Sequence, residues 1–117
     1  MEEEIISVYS DEEAVKDGYL FDLWELNPQW SKGIFRYITV GLAAKAEILK
    51  EDKAVNIPNL LDLLNNANNI VRVKSKGFKE FDSFFSGQIE LASGEKQKIF
   101  IEQNETGKFT ILLPEEH

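Results

Sequence analysis

The acidic residues of the N-terminal quarter are the side chains whose type and spacing come nearest to a reactive site. They lie close together in the chain and comprise Asp11, Glu12, Glu13, Asp17 and Asp22. Carboxylate oxygens are the ligands that Mg²⁺ prefers, so a metal-dependent hydrolase is one hypothesis. Glu13, however, is spaced to complete a helix capping box, and Asp17 precedes a turn glycine. Asp22 is expected to point outward, and we predict neither a metal site nor an enzyme.

Other patterns of known chemistry are missing from the sequence. There is no cysteine, which excludes disulfides, thiolate nucleophiles and cysteine-based zinc sites. The one histidine is His117. A histidine at the last position is typical of a mobile residue or an affinity-tag remnant, so we expect no Ser-His-Asp triad. The glycines do not have the spacing of a phosphate-binding loop. We therefore predict no catalytic residue and no cofactor.

The net charge of −8 is concentrated at one end of the chain. Residues 1–26 carry all of it, because the acids and bases of the remainder cancel. One interpretation is an acidic surface that attracts a basic partner protein and makes binding salt-sensitive. The other is a solvated tail followed by the acids of a first helical turn. The candidate partner-binding residues are Asp11, Glu12, Asp17 and Asp22, together with two aromatic residues that flank a loop, Trp24 and Trp30.

A weaker basic segment lies in the second half of the chain. It consists of four cations with no acid between them: Arg72, Lys74, Lys76 and Lys79. Nucleic-acid contact is one interpretation, with Phe78 or Phe81 available for stacking on bases. The alternative is a cationic helix C-terminus followed by a loop. The acidic net charge disfavours nucleic-acid binding, which rests on neutralising phosphates.

Length and composition favour one globular domain. A chain of 117 residues, 43% of them hydrophobic, is long enough to build one core. The acidic start Met1-Glu2-Glu3-Glu4 is unlike a signal peptide, and Lys45 and Glu47 interrupt the longest apolar stretch. We expect a single domain over 1–117 that is soluble and cytoplasmic.

The first third of the sequence contains strong turn and cap signals. Residues 5–8 are β-prone and predict an edge strand. Ser10 and Glu13 form a capping box, and Gly18 is placed to end a helix over 11–17. The apolar run 19–26 predicts a strand or an irregular core segment, and 27–33 predicts a loop around Pro28.

Two helices are predicted in the centre. Thr39 is a candidate N-cap for a helix over 40–50. Gly41 either allows close packing in this helix or places the true start of the helix one residue later. A second helix begins near Pro58, which could be its first residue, or is capped by Asn59. Its apolar positions continue at helical spacing to 71. A continuous helix is favoured over the alternative, which ends near 66 and is followed by a strand over 70–74.

The last third alternates apolar and polar residues. Segments 84–91, 96–102 and 109–113 predict three strands joined by turns at 92–95 and 104–107. Phe85, Ile89 and Phe109 are expected in the core, since they share a strand face. The predicted fold is therefore α+β in two layers. Its antiparallel meander, extended by the N-terminal strand, is covered by the two central helices.

Positions near both ends resemble a known family. The opening reads Tyr9-Ser10, then Ala14, Asp17-Gly18, Leu20 and Asp22, and the ending reads Thr110 to Leu113 followed by Pro114 and two acids. This is similar to a family of small uncharacterised proteins from microbes, phages and plasmids, classed as a domain of unknown function. The resemblance implies an accessory protein of a mobile element and brings no established activity.

The favoured functional hypothesis is a non-catalytic module that binds a host protein with a basic surface. The alternatives are a protein that self-associates through the open edge of its meander and a magnesium-dependent hydrolase built on the N-terminal acids.

Overall fold

The chain forms a mixed α/β structure around one five-stranded sheet. The computed structural model describes residues 11–49, 54–77, 79, 82–104 and 107–117, with the backbone alone at 11 and 12. Within these residues there are four α-helices: α1 (Asp11–Lys16), α2 (Leu23–Leu26), α3 (Val40–Lys45) and α4 (Ile57–Lys74). The strands are β1 (Leu20–Asp22), β2 (Phe35–Thr39), β3 (Phe84–Glu90), β4 (Lys96–Gln103) and β5 (Phe109–Leu112). Two 3₁₀ turns span Pro28–Lys32 and Pro114–Glu116.

The strand order is β1-β2-β5-β4-β3, so the last strand in the chain lies in the middle of the sheet. The β2–β5 pair is parallel, and the other neighbours are antiparallel. The mixed α and β content agrees with the prediction. Strand β1 lies within the segment 19–26, for which a strand was one of the two predicted interpretations, whereas β2 was not predicted. The predicted strand over 5–8 lies outside the described residues. Strand β2 was not predicted because nearly all of its side chains are buried. Its sequence therefore lacks the alternation of apolar and polar residues by which a half-exposed strand is recognised.

Helix α1 ends where Gly18 was expected to end it. Gly18 has a φ of 84°, in the left-handed region that favours glycine. The Tyr19 N–H donates to the Ala14 carbonyl at 2.8 Å and the Gly18 N–H donates to the Val15 carbonyl at 3.1 Å, which is a Schellman motif. The helix stops at Lys16, one residue before the predicted end. The Ser10 half of the proposed capping box lies outside the described residues.

The segment 19–26 combines a strand with one helical turn. Strand β1 ends at Asp22, whose carboxylate accepts a hydrogen bond from the Trp24 N–H at 3.0 Å and so caps α2. The predicted loop over 27–33 is a 3₁₀ turn capped in the same way by Asn27. Each element begins at a polar cap, which the apolar pattern alone did not reveal.

Helix α3 is shorter than the predicted helix over 40–50. Thr39 caps it as predicted, accepting a hydrogen bond from the Leu42 N–H at 3.3 Å. The helix ends at Lys45, and Glu47 adopts a φ of 59°. This turn directs Ile48 into the core, where it is fully buried. Burial of Ile48 therefore offsets the left-handed backbone at Glu47.

Helix α4 is continuous through residues 70–74, which excludes the alternative strand there. Its cap is Asn56, which accepts a hydrogen bond from the Asn59 N–H at 3.1 Å, so the prediction of Asn59 as the cap is wrong. Pro58 lies in the first turn, where its missing N–H leaves no helical bond unmade.

One face of the sheet holds the core. The buried face of α4, made by Leu60, Leu63, Ala67 and Val71, joins the same cluster as Phe85, Ile89 and Phe109. These three residues are buried as predicted. The alternate positions of β4 and β5 point to the opposite face, which carries the cleft described below. No helix in the described part of the chain is long and apolar enough to cross a membrane.

Candidate functional site

A cleft of about 540 Å³ lies on the sheet face opposite α4. The end of α1 and strand β1 form one wall, the start of α3 forms another, and the ends of β4 and β5 form the floor. Its lining comprises Ala14, Gly18, Tyr19, Leu20, Thr39, Val40, Gly41, Glu102, Gln103, Asn104, Thr110, Leu112 and Glu116. The lining is largely apolar with a few convergent polar groups, which is the usual make-up of a binding site.

The carboxylate of Glu116 is fixed at the α3 side of the cleft. The Thr39 hydroxyl donates to Glu116 Oε1 at 2.6 Å, and the Leu113 N–H donates to the same oxygen at 3.1 Å. A Cβ at Gly41 would lie 2.4 Å from Glu116 Oε2. Gly41 therefore allows the close packing that its sequence position suggested, and the packed group is this carboxylate.

A second carboxylate, that of Glu102, is held from the other side. His117 Nε2 lies 2.7 Å from Glu102 Oε2. The imidazole also stands edge-on to the rings of Phe84 and Phe100, with centroids 5.5 and 5.4 Å away. The prediction that His117 lacks a fixed position is therefore wrong. Its ring has aromatic and acidic partners on β3 and β4.

An exposed aromatic residue completes the rim. Tyr19 is 66% exposed and follows the glycine that ends α1. Glu13 within α1 and Asp17 directly after it are exposed, as is Lys16, the last residue of the helix. Carboxylates bind cations, and aromatic faces attract ammonium and guanidinium groups. The cleft is thus chemically suited to a lysine or arginine side chain.

The predicted acidic site residues separate into two environments. Asp17 is exposed beside the cleft, and Asp11 and Glu12 begin α1. Asp22 is instead buried: Oδ2 accepts a hydrogen bond from Arg36 Nη2 at 3.3 Å, and Oδ1 caps α2. The prediction that Asp22 points outward is wrong, because Arg36 of the neighbouring strand satisfies it inside.

The two tryptophans are both partly buried. The Trp24 indole N–H donates to the Phe35 carbonyl at 3.2 Å, and the Arg36 guanidinium lies 4.2 Å from the Trp24 ring centroid. Trp30 packs against the core and lines a groove of about 300 Å³ beside α4. Both side chains therefore pack against the core and are only partly available to a partner.

The basic segment lies at the C-terminus of α4, remote in sequence from the cleft. Arg72 donates to the Asn69 side chain at 3.1 Å, and the Lys74 ammonium donates to the Ser86 carbonyl. Lys76 and Lys79 follow the helix and are exposed. This placement agrees with a cationic helix end. Phe78 and Phe81, the proposed stacking residues, lie outside the described residues.

The acids do not converge as a metal centre would require. Within the described ranges, no group of three or more His, Asp or Glu side chains could hold a metal ion. The magnesium-dependent hydrolase stays an alternative hypothesis from the sequence.

Comparison with protein-family models, with curated proteins and with solved structures finds no match for this chain. The interpretation of the site therefore rests on its own residues.

Sequence reasoning missed Tyr19, Glu102 and Glu116 as site residues. The one feature of the sequence that pointed to the Glu116 contact was Gly41, a glycine in the first turn of a predicted helix. The sequence around Tyr19 or Glu102 gives no sign of a site. The two residues line the same cleft only because β1, which follows Tyr19, and β4 belong to one sheet.

Proposed function

We propose that this protein is a non-catalytic interaction module that binds a basic segment of a partner protein in the cleft beside α1. One observation carries the proposal: two anchored carboxylates, Glu102 and Glu116, share a cleft with the exposed Tyr19. Asp17, exposed and adjacent in sequence to Gly18 of the cleft lining, adds a carboxylate near the same cleft.

Pre-positioned acceptors support binding rather than chemistry. Thr39 and Leu113 hold the Glu116 carboxylate, and His117 holds that of Glu102. Each carboxylate retains lone pairs for an incoming donor. A cation that enters meets acceptors whose orientation is already fixed, which lowers the entropy lost on binding.

The resemblance to phage and plasmid proteins supports a host protein as the partner, met in the cytoplasm. A molecule with a net charge of −8 attracts basic proteins at long range. Nucleic acid, itself anionic, is disfavoured by the same charge.

For the fold we propose the two-layer α+β interpretation built on a C-terminal meander. The antiparallel pairing of β3 with β4 and of β4 with β5 supports it. The packing of α4 against one face supports the layering.

The test begins with capture of a partner from host lysate, with and without nuclease, followed by titration of the purified partner. Neutralising the cleft with Glu102→Gln and Glu116→Gln should weaken binding by about tenfold or more, the scale on which charged surfaces alter association. The matched control is Asp62→Asn with Glu95→Gln, which removes equal charge at exposed positions that do not line the cleft. If both pairs weaken binding equally, the effect is one of net charge and the cleft is not the site.

A second arm separates the cleft from the surface of α1. Reversal of Asp11, Glu12 and Asp17 to lysine should also reduce affinity, and added salt should reduce it further. If only this variant loses affinity, the partner lies on the helix surface and outside the cleft. Affinity unchanged in both arms would overturn the proposal.

A further inference from the structure

Among the strands that the structure describes, β3 lies at the edge of the sheet, and its hydrogen bonds reveal which groups point away from β4. The Leu91 N–H donates to the Glu95 carbonyl and the Gln103 N–H donates to the Ser83 carbonyl, so odd-numbered positions pair with β4. In an antiparallel ladder the alternate residues point the other way. The backbone groups of Phe84, Ser86, Gln88 and Glu90 therefore point to the outer side of β3, where no described strand pairs with them.

A groove runs along this edge. It has a volume of about 470 Å³ and separates the outer side of α4 from β3. Val73, which lines it, is 69% exposed. Ile70 closes the inner side and packs so tightly over Gly87 that a Cβ there would lie 2.6 Å from Ile70 Cδ1. An extended chain beside β3 would thus have a sheet edge on one side and an apolar helix side above it.

Lys74 already occupies one of the outward acceptors. Its ammonium donates to the Ser86 carbonyl at the end of the groove where α4 terminates. Arg72 and Lys76 lie on the same helix end, so this end of the groove is positively charged. Lysine at an edge strand is a known means of preventing unwanted pairing.

We propose that this groove binds an extended acidic and apolar segment of a partner protein, which pairs with β3 as an additional strand. Its backbone would bond to the outward groups of Ser86, Gln88 and Glu90. An apolar side chain opposite Gly87 would face Val73. An acidic residue at the cationic end would draw the Lys74 ammonium away and free the Ser86 carbonyl. This site is independent of the cleft beside α1.

A single segment fits this edge better than a second copy of the chain. Antiparallel pairing of two β3 strands would place both α4 helices on the same face. Neighbouring strands are about 4.8 Å apart, whereas a helix with side chains is about 10 Å across. Since Ile70 places α4 directly over β3, the two helices would collide. The geometry thus disfavours self-association through this edge.

In the first experiment, peptides that bind the full protein are selected from a display library of random heptapeptides. Peptides that also bind the Val73→Glu variant are removed by counter-selection. We expect peptides that alternate apolar residues and carry an acid near one end. Val73→Glu and Gln88→Pro should each weaken their binding by about tenfold or more, as expected of central interface positions. Proline at 88 removes an outward N–H and leaves the bonds to β4 intact. Circular dichroism verifies that both variants fold.

The matched control is Leu61→Glu, an exposed apolar position of α4 that lines the other groove, and it should leave binding unchanged. Lys74→Met should abolish the preference for an acidic peptide over its amide counterpart. It should also tighten binding of the neutral peptide by about two- to tenfold, the factor associated with one hydrogen bond.

Amide hydrogen exchange gives the decisive readout. The selected peptide should slow exchange at Ser86, Gln88 and Glu90 and leave Phe85 and Ile89, which already pair with β4, unchanged. Failure to select any peptide that depends on both Val73 and Gln88 would overturn the proposal. If these amides become more protected as the protein concentration rises in the absence of peptide, β3 pairs with a second copy of the chain, and the proposal of a partner segment is overturned.

Discussion

The contact between Glu116 and Gly41 joins two residues that are far apart in the chain. The Glu116 side chain takes the space that a Cβ would fill in α3 and accepts hydrogen bonds from Thr39 and Leu113. The glycine is therefore a steric requirement of the carboxylate, and the carboxylate orders one wall of the cleft.

This dependence predicts a non-additive effect of Gly41→Ala. Alanine is favoured over glycine within a helix by about 1 kcal/mol. In a Glu116→Ala background Gly41→Ala should stabilise the protein by up to about that amount. With Glu116 present the gain should shrink or reverse, because the carboxylate must leave Thr39. Urea unfolding of the four proteins measures the coupling. Equal effects in both backgrounds would contradict the contact.

Residues with local partners were predictable, whereas those with remote partners were not. Thr39 and Gly18 act through bonds within a helical turn, so their types and spacing were sufficient. Asp22 turns inward because Arg36 of β2 lies beside it, and β2 was not predicted. The direction of an acid on a strand thus depends on a neighbour that the local sequence does not identify.

At the scale of elements, the end of α1 shapes the cleft. The left-handed Gly18 reverses the chain so that Tyr19 and Leu20 leave the helix along the cleft wall. The exit direction, and with it the position of the exposed tyrosine, depends on this one backbone conformation.

Gly18→Ala should therefore destabilise the protein by about 1 kcal/mol, the lower range for a left-handed non-glycine residue. Gly33→Ala is the matched control, since Gly33 has an extended backbone with a φ of −87° and should tolerate alanine with little change. Thermal and denaturant unfolding compare the two. A loss of stability at Gly33 equal to that at Gly18 would refute the explanation from backbone conformation.

Helix α4 was the element best predicted from sequence, because its apolar face repeats over many turns. The end of α3 was not, since apolar residues continue at helical spacing past Lys45. Burial of Ile48 and the bridge between Leu49 and Val55 compete with helical continuation, and both depend on packing elsewhere. Tertiary contacts override local propensity at this point.

For the molecule as a whole, the parallel β2–β5 pair is the centre of the sheet. We expect the amides of β2 and β5 to exchange hydrogen slowest, because their release requires global unfolding. The outward amides of the two edge strands, β1 and β3, should exchange fastest, and the β3 amides bonded to β4 should exchange at an intermediate rate. Exchange followed by NMR measures this order. Faster exchange in β2 than on the outer edge of β3 would contradict the strand order.

The sequence indicated the class of the molecule but not this arrangement. Alternation in the last third predicted three strands, and the sheet also recruits β1 and β2 from the first third. The parallel pairing of β2 with β5 cannot be recognised in the sequence of either strand, because the strands are far apart in the chain and the one property they have in common is that both are buried. The cleft, which spans α1, α3 and the ends of β4 and β5, could not be assembled without that pairing.

The central position of β5 also has a consequence for biosynthesis. A ribosome releases β1, β2, β3 and β4 before the strand that joins them has emerged. Until then the two halves of the sheet have no common hydrogen-bonded partner, and their apolar faces are open to chaperones and proteases. A chain truncated before β5 would thus lack the strand that joins β2 to β4, so we expect it to fail to reach this fold and to be open to proteolysis.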